Sequence, residues 1–320
     1  MKHKLLQNIR LLPALEARLG DSYSVHRLTD EADPQAFLAA HGAEFSGVVT
    51  SAAWGVDATL MAALPNLRVI SSFGVGLDKL DLVAAQARGI QVGYTPDVLN
   101  DCVADLAFGL MLDAARGLSA GDRFVRRGDW AGTGGPVALK FPLGRKVSGA
   151  RLGIVGFGRI GRTIAKRAVG FEMDVRYHTR RAVPDAACPH EPSLIELARW
   201  CDYLVVIVAG GAGTRRLVDT AVLDALGPQG FIVNVARGSV IDEAALLRAL
   251  TEKRIAGAGL DVFENEPRVP AAFMALDNVV LVPHIASATA ETRQAMADRV
   301  FDNLDQFFKD GRLITAAPAP

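Results

Sequence analysis

Short apolar runs recur along this chain, separated by segments whose apolar positions fall three or four residues apart. The runs "SGVVTS" (46–51), "LRVISSF" (67–73) and "IQVGYT" (90–95) predict buried strands. Between them "TLMAAL" and "LDLVAAQARG" predict helices. The opening "MKHKLLQNIRLLPALEARLG" predicts a first strand and helix; Asn8, Arg10 and Pro13 interrupt it too often for a signal peptide. Alternation of this kind predicts parallel βαβ units. A long apolar helix is expected over 100–117, and the polar, Gly- and Pro-rich stretch 126–149 then reads as an excursion or crossover.

A second alternating series follows. "RLGIVGFG" (151–158), "MDVRYH" (173–178), "YLVVIV" (203–208), "GFIVNVA" (230–236), "IAGAGLDVF" (255–263) and "NVVLVP" (278–283) predict strands, with helical segments between most of them. The last segment, "ETRQAMADRVFDNLDQFFKDG", places Met296, Val300, Leu304, Phe307 and Phe308 on one face of an amphipathic helix. No strand follows it, so it is expected to pack back on the first domain. The fold class predicted is α/β: two Rossmann-like, doubly wound parallel-sheet domains.

Composition narrows the function. A length of 320 residues suggests two domains. The 35 basic residues balance the 35 acidic ones, which gives no reason to expect nucleic acid or an anionic membrane as partner. No stretch is long and apolar enough to span a bilayer. Cys102, Cys188 and Cys201 are scattered, fit neither a disulfide framework nor a metal site, and suit a reducing, cytoplasmic location.

"GFGRIG" (156–161) sits between an expected strand and an expected helix, with Gly156, Gly158 and Gly161 at G-x-G-x-x-G spacing. The first glycine allows the tight turn, the second lets backbone approach a pyrophosphate, and the third lets helix and strand pack closely. The turn as a whole, with Phe157, Arg159 and Ile160, is the expected seat of a dinucleotide phosphate at a helix N-terminus. About twenty residues on, such a unit usually offers an acid to the adenosine ribose. His178 stands there, followed by Thr179, Arg180 and Arg181. Arginine suits the 2′-phosphate of NADPH, which a carboxylate would repel. The coenzyme expected is therefore NADPH, with NADH possible; the bland alternative is that one or both arginines merely face solvent.

Three later strand ends carry polar residues: Arg237 in "IVNVARGSVID", Asp261 and Glu266 in "GLDVFENEP", and His284 in "VVLVPHIASAT". Each alone has an ordinary reading, as a cap partner, a solvated acid or a surface histidine. Together they suit reduction of a 2-oxo acid. A guanidinium holds the carboxylate, an imidazolium protonates the carbonyl oxygen as hydride arrives, and a carboxylate favours the charged imidazole.

From "SSFGVGLDKLDL" through "TPDVLNDCVADLAFGLML", "GFGRIG", "NVARGSVIDEAAL", "GLDVFENEP" and "PHIASATAETR", the chain resembles the D-isomer-specific 2-hydroxyacid dehydrogenases. Within them it is most similar to the glyoxylate/hydroxypyruvate and hydroxyphenylpyruvate reductase group. The resemblance runs in order along essentially the whole chain. It implies an active-site cleft between two domains: a discontinuous substrate domain, 1–99 with 288–320, and a dinucleotide domain, 100–287. It implies catalysis by Arg237, Glu266 and His284, and a carboxylate cradle from the backbone N–H groups of Val75 and Gly76. It implies coenzyme contacts at Val208, Ala209, Val235, Ala236 and His284, with Asp261 at the nicotinamide end. It also implies a homodimer formed through the 100–117 helix and the excursion. The chain departs from the pattern in "VIVAGGAGTRRLVD" (206–219), where relatives have Cys-Pro and this chain has Ala209-Gly210. Glu266 argues against a formate dehydrogenase, which has glutamine there, and His178-Thr179-Arg180 against a phosphoglycerate dehydrogenase. Two alternatives stay open. One is an aromatic 2-oxo acid substrate, with Trp54 and Phe73 lining a larger pocket. The other is a dinucleotide-sensing, corepressor-like binding protein.

Overall fold

The computed structural model describes residues 2–131 and 141–320; the middle of the 126–149 excursion, 132–140, lies outside the described residues. The chain forms two compact units, Met1–Leu99 with Ala288–Pro320, and Asn100–Ser287.

In the first unit, β1 (Lys4–Gln7), α1 (Pro13–Ser22), β2 (Ser24–Arg27), α2 (Pro34–His41), β3 (Gly47–Ser51), α3 (Ala58–Ala62), β4 (Val69–Phe73), α4 (Leu82–Ala87) and β5 (Gln91–Gly93) alternate along the chain. Their strands form one parallel sheet in the order β2-β1-β3-β4-β5. The second unit opens with α5 (Asn100–Arg116) and α6 (Leu118–Arg126). It continues through β6 (Arg151–Val155), α7 (Arg159–Ala168), β7 (Asp174–His178), α8 (Leu194–Trp200), β8 (Tyr203–Val206) and α9 (Thr220–Leu226). It ends with β9 (Phe231–Asn234), α10 (Glu243–Thr251), β10 (Gly257–Leu260), α11 (Ala271–Met274) and β11 (Val279–Leu281). Its parallel sheet runs β11-β10-β9-β8-β6-β7. The last helix, α12 (Ala290–Asp310), returns to the first unit.

Both sheets are doubly wound, and both reverse strand order beside their first strand. Ligands of open α/β sheets bind at the carboxyl ends of strands near such a reversal. Sheets covered on both faces need apolar strands throughout, and β4, β8, β9 and β10 are buried along their whole length. In the first unit Leu6, Val48, Ile70 and Val92 form the sheet's share of one core. In the second, Leu204, Ile232 and Ala258 pack with Leu223 and Leu246 of the covering helices. α12 covers the first sheet with Met296, Val300, Leu304 and Phe307 buried, and the Ser71 hydroxyl donates to the Val300 carbonyl at 3.0 Å.

The helices start where the sequence supplies caps. Asp57, Asp81, Ser193, Asp219, Asp242 and Thr289 each accept a first-turn N–H through the side chain. α7 differs, because its N-cap is Gly158, which has no side chain to offer. Two kinds of element escaped the apolar pattern. β2, "SVHR", is a half-exposed edge strand without an apolar run. α6 follows Gly117, which turns the chain at φ +65°, and buries none of its own residues. Among the described residues no helix is long and apolar enough to cross a membrane.

Candidate active site

In the second unit the residues singled out by motif gather at the carboxyl ends of neighbouring parallel strands. β6 runs straight into the Gly-rich turn. Gly156 has φ +99°, and a Cβ there would lie 2.8 Å from Val208 Cα. A Cβ on Gly161 would lie 2.3 Å from the Gly156 carbonyl oxygen, so the first turn of α7 closes onto the loop only without a side chain. A Cβ on Gly158 would meet nothing within 4 Å. The turn is thus closed on its protein side at Gly156 and Gly161 and open at Gly158, beside first-turn amides that no side chain caps. Phe157 is buried, its ring stacked on Tyr177 with centroids 4.1 Å apart, so only its backbone is available to a ligand. Arg159 is exposed and Ile160 half-buried on the first turn of α7.

β7 lies beside β6 and delivers His178 to Arg181 next to that turn. The Gly156 N–H donates to the His178 carbonyl at 2.9 Å, which joins the two strand ends. His178 Nδ1 lies 3.0 Å from the Glu191 carbonyl oxygen, and the Thr179 hydroxyl donates to the Arg181 carbonyl at 2.6 Å. Arg180 and Arg181 are exposed, and among the described residues neither guanidinium has a hydrogen-bond or ion-pair partner. Two uncommitted cations thus stand on a braced loop, with no acid at the ribose position. On the other side of β6, Val208 and Ala209 follow β8, where the Thr214 hydroxyl folds the loop by donating to the Ala209 carbonyl at 2.7 Å. That bond gives the Ala209-Gly210 departure a local support.

The chemistry-bearing trio sits on the next strand ends. Val235 and Ala236 follow β9, both buried, and lead to a half-buried Arg237. The Asn234 side chain folds this turn: its Nδ2 donates to the Arg237 carbonyl at 3.1 Å and its Oδ1 accepts the Ala236 N–H at 3.0 Å. Beyond β10, Glu266 Oε1 accepts the Phe263 N–H at 3.1 Å, and its Oε2 lies 2.7 Å from Nδ1 of His284, which follows β11. Burial alone would raise the Glu266 carboxyl, but the His284 bond and charge, the Phe263 N–H and the Arg237 charge bring it below the usual carboxylate range. The acid is therefore ionised when the pair is assembled. Nδ1 faces the acid, so Nε2 is the nitrogen left for a ligand. The structure brings Glu266 and His284 into contact and sets the Arg237 charge close enough to act on the acid.

Asp261, which the resemblance places at the nicotinamide end, is 0% exposed, and each of its carboxylate oxygens accepts one backbone N–H. Oδ1 accepts the Ile285 N–H at 2.6 Å and Oδ2 the Ala286 N–H at 3.2 Å. Burial raises this carboxyl above its ordinary range, against the pull of those N–H groups and of His284. The sequence reading also passed over Asn234, although a buried polar residue closing the apolar run "FIVN" was the available signal. It missed the ion pair at 2.8 Å between Arg215 and Glu264, which ties the loop after β8 to the one bearing Glu266.

Val75 and Gly76 belong to the first unit, in the loop after β4. That loop is pinned at Gly74, whose N–H donates to the buried Thr95 hydroxyl at 3.0 Å while its carbonyl accepts the Thr95 N–H at 3.0 Å. Trp54, on the turn after β3, is 60% exposed, whereas Phe73 is 7% exposed and belongs to the core under the Arg293 guanidinium.

The sequence profile described as "D-isomer specific 2-hydroxyacid dehydrogenase, NAD binding domain" matches residues 108–286. A 2-ketogluconate reductase of Gluconobacter oxydans is 47% identical, over 95% of both chains. A glyoxylate/hydroxypyruvate reductase of Arabidopsis thaliana is 45% identical, over 94% of both chains. Among solved structures, an NADPH-dependent glyoxylate/hydroxypyruvate reductase of Sinorhizobium meliloti, in complex with NADP and malonate, superposes with a TM-score of 0.93. It is 41% identical, and the match covers 100% of this chain and 98% of that one.

Proposed function

The chain belongs to the D-isomer specific 2-hydroxyacid dehydrogenases, and on that premise we propose that it is an NADPH-preferring reductase of small 2-oxo acids, glyoxylate and hydroxypyruvate first. The observation that carries the reading is the 2.7 Å bond between His284 Nδ1 and Glu266, with Arg237 on the next strand end. The open face at Gly158, the uncapped start of α7 and the uncommitted Arg180 and Arg181 fit a dinucleotide with a 2′-phosphate.

The coenzyme supplies the hydride. Arg237 binds and polarises the substrate through its carboxylate and carbonyl. His284, protonated and held by Glu266, gives the Nε2 proton to the carbonyl oxygen as carbon accepts the hydride. Backbone N–H groups of Val75 and Gly76 bind the carboxylate. Gly156 to Gly161 hold the pyrophosphate, and Thr179, Arg180 and Arg181 read the 2′-phosphate beside His178. Backbone of Val208, Ala209, Val235 and Ala236 lines the coenzyme. On this reading 1–99 with 288–320 is the substrate domain and 100–287 the dinucleotide domain.

The chain is further read as a homodimer, because α6 buries none of its residues and leaves Leu118 and Val125, with the nearby Trp130, more than half exposed. A cytoplasmic location is inferred from three free cysteines.

The test is loss of NADPH or NADH absorbance with glyoxylate, hydroxypyruvate, pyruvate, phenylpyruvates and 2-ketogluconate. Turnover is expected to be fastest with NADPH and a small 2-oxo acid. Preference for a phenylpyruvate would transfer the assignment to an aromatic substrate, and no turnover at all would favour a dinucleotide-sensing role. Arg180→Ala should raise KM for NADPH far more than for NADH; an equal effect on both would remove Arg180 from phosphate recognition.

A further inference from the structure

The loop that carries Arg180 and Arg181 leaves β7 at His178 and returns to the edge of that strand at Pro189. Between these points the chain forms no helix or strand, and most of its residues are exposed. A surface loop of this make-up ordinarily moves. This one is tied at its return by backbone: the Tyr177 N–H donates to the Pro189 carbonyl at 3.0 Å, and the Glu191 N–H donates to the Tyr177 carbonyl at 2.7 Å. Three side chains then take hold of the loop on both sides of the arginines. His190 Nε2 lies 2.9 Å from the Thr179 carbonyl oxygen; a carbonyl only accepts, so this nitrogen carries the hydrogen. The Tyr177 hydroxyl accepts the Val183 N–H at 2.8 Å. The Arg162 guanidinium donates to the Pro184 carbonyl at 3.0 Å and to the Asp185 carbonyl at 3.4 Å. Asp185 has φ +54°, a conformation that a residue with a side chain keeps where its surroundings support it.

The three holds form one stack. The Arg162 guanidinium lies 5.4 Å from the Phe157 ring centroid, Phe157 is stacked on Tyr177 at 4.1 Å, and the Tyr177 and His190 rings are 5.1 Å apart. Phe157 and Tyr177 are buried, which gives the stack a fixed base. One end of it belongs to the Gly-rich turn and the first turn of α7, the other to the return of the loop. The stretch proposed for the pyrophosphate and the stretch proposed for the 2′-phosphate are thus braced against each other within the second unit. Ordering a loop on binding costs affinity, and a loop already fixed leaves only its arginine side chains to order.

We propose that Arg162, Tyr177 and His190 are positioning residues for coenzyme choice, a stacked brace that holds the Thr179–Asp185 backbone so that Arg180 and Arg181 meet the 2′-phosphate of NADPH. The proposal rests on the reading that these two arginines recognise that phosphate. Each of the three acts through the backbone of the loop.

Steady-state kinetics with glyoxylate on the full chain, run with NADPH and with NADH, test the brace. Arg162→Met, Tyr177→Phe and His190→Phe each keep much of the stacked bulk and remove the polar hold. One lost hydrogen bond is worth about three- to tenfold, so each variant should lower kcat/KM for NADPH by about that factor, chiefly through KM. With NADH each should stay within about twofold of the parent, a split that a merely structural role would not produce. In a chain that also carries Arg180→Ala and Arg181→Ala, adding Arg162→Met should change kcat/KM for NADPH by less than about twofold, because nothing is left to position. Equal losses with both coenzymes, no loss with either, or an undiminished Arg162→Met effect in that background would each overturn the proposal. Arg162 is exposed, so its variant decides if Tyr177→Phe or His190→Phe fails to fold. An error in the functional reading shows itself differently. Arg180→Ala with Arg181→Ala would then keep the parent's preference for NADPH, whereas a failed brace leaves that preference lost in the double variant and intact in the other three.

Discussion

The two units share a sheet design and differ in what the strands carry at their carboxyl ends. In the first unit β3 ends in Ser51-Ala52 and β4 in Gly74-Val75-Gly76, small neutral residues whose useful groups are backbone N–H donors. In the second, β6 and β7 end in the Gly-rich turn and Thr179-Arg180-Arg181, while β9, β10 and β11 lead to Arg237, Glu266 and His284. The architecture fixes where a ligand is met, and the strand-end side chains decide what is done to it. Strand ends that offer only backbone donors, as those of β3 and β4 do, can hold a substrate group. One that offers a guanidinium, an imidazole and a carboxylate can move a proton as well.

That contrast breaks most sharply at His284. Replacement by Ala should lower kcat by about 10²–10⁴-fold, the usual worth of a general acid, with NADPH affinity unchanged. A rate constant within tenfold of the parent would place the proton donor elsewhere. Next in size is Gly158→Ala. The added methyl group meets no protein atom within 4 Å, so folding stability should hold. The same methyl would stand where a pyrophosphate approaches, so NADPH affinity should fall on the order of a hundredfold. Thermal melts paired with coenzyme titration separate the two effects, and unaltered affinity would move the phosphate away from this turn.

Much of this was legible in the sequence, for a physical reason. Strands buried on both faces must be apolar throughout, so the runs at 67–73, 203–208 and 230–236 announced themselves. The glycines of "GFGRIG" were readable because each position excludes a side chain or leaves room for a ligand. Arg237, Glu266 and His284 were found as polar residues just after apolar runs. β2 was missed because a half-exposed edge strand has no such run, and α6 because none of its residues is buried. The bonds of Asp261 to the backbone at Ile285 and Ala286 had no signal in the sequence. Spacing tells where a side chain sits on a strand. It does not tell which backbone amide, more than twenty residues away, will claim its oxygens.

The neutral strand ends of the first unit offer their own test at Thr95. This residue is 0% exposed and its hydroxyl accepts the Gly74 N–H, so Thr95→Val keeps the shape and removes the acceptor. A buried amide left without a partner costs about 1–3 kcal/mol, which a denaturant titration would register. If the loop after β4 holds the substrate carboxylate, KM for glyoxylate should rise as Val75 and Gly76 loosen, while KM for NADPH stays put. Loss of stability with both KM values unmoved would confine that loop to a structural role.

The smallest expected effect concerns pH and the Glu266 carboxyl. The fold holds it below the usual glutamate range, through the His284 bond and charge, the Phe263 N–H and the Arg237 charge acting against burial. A group whose folded value is depressed stabilises the protein above its unfolded value, and that contribution is lost as pH falls through the folded one. Glu266→Gln removes it. The parent should therefore exceed the variant in stability at neutral pH, and the gap should close on acidification through the ordinary glutamate range and below. With the Glu266 side chain 32% exposed, solvent screening limits the gap to about 1 kcal/mol. A stability gap that stays constant from neutral pH through acid would mean that the ionised acid is not what holds this turn. In that case the backbone bonds at the neighbouring strand ends, those of Asn234 to the Arg237 turn and of Asp261 to Ile285 and Ala286, would be the supports left to the site.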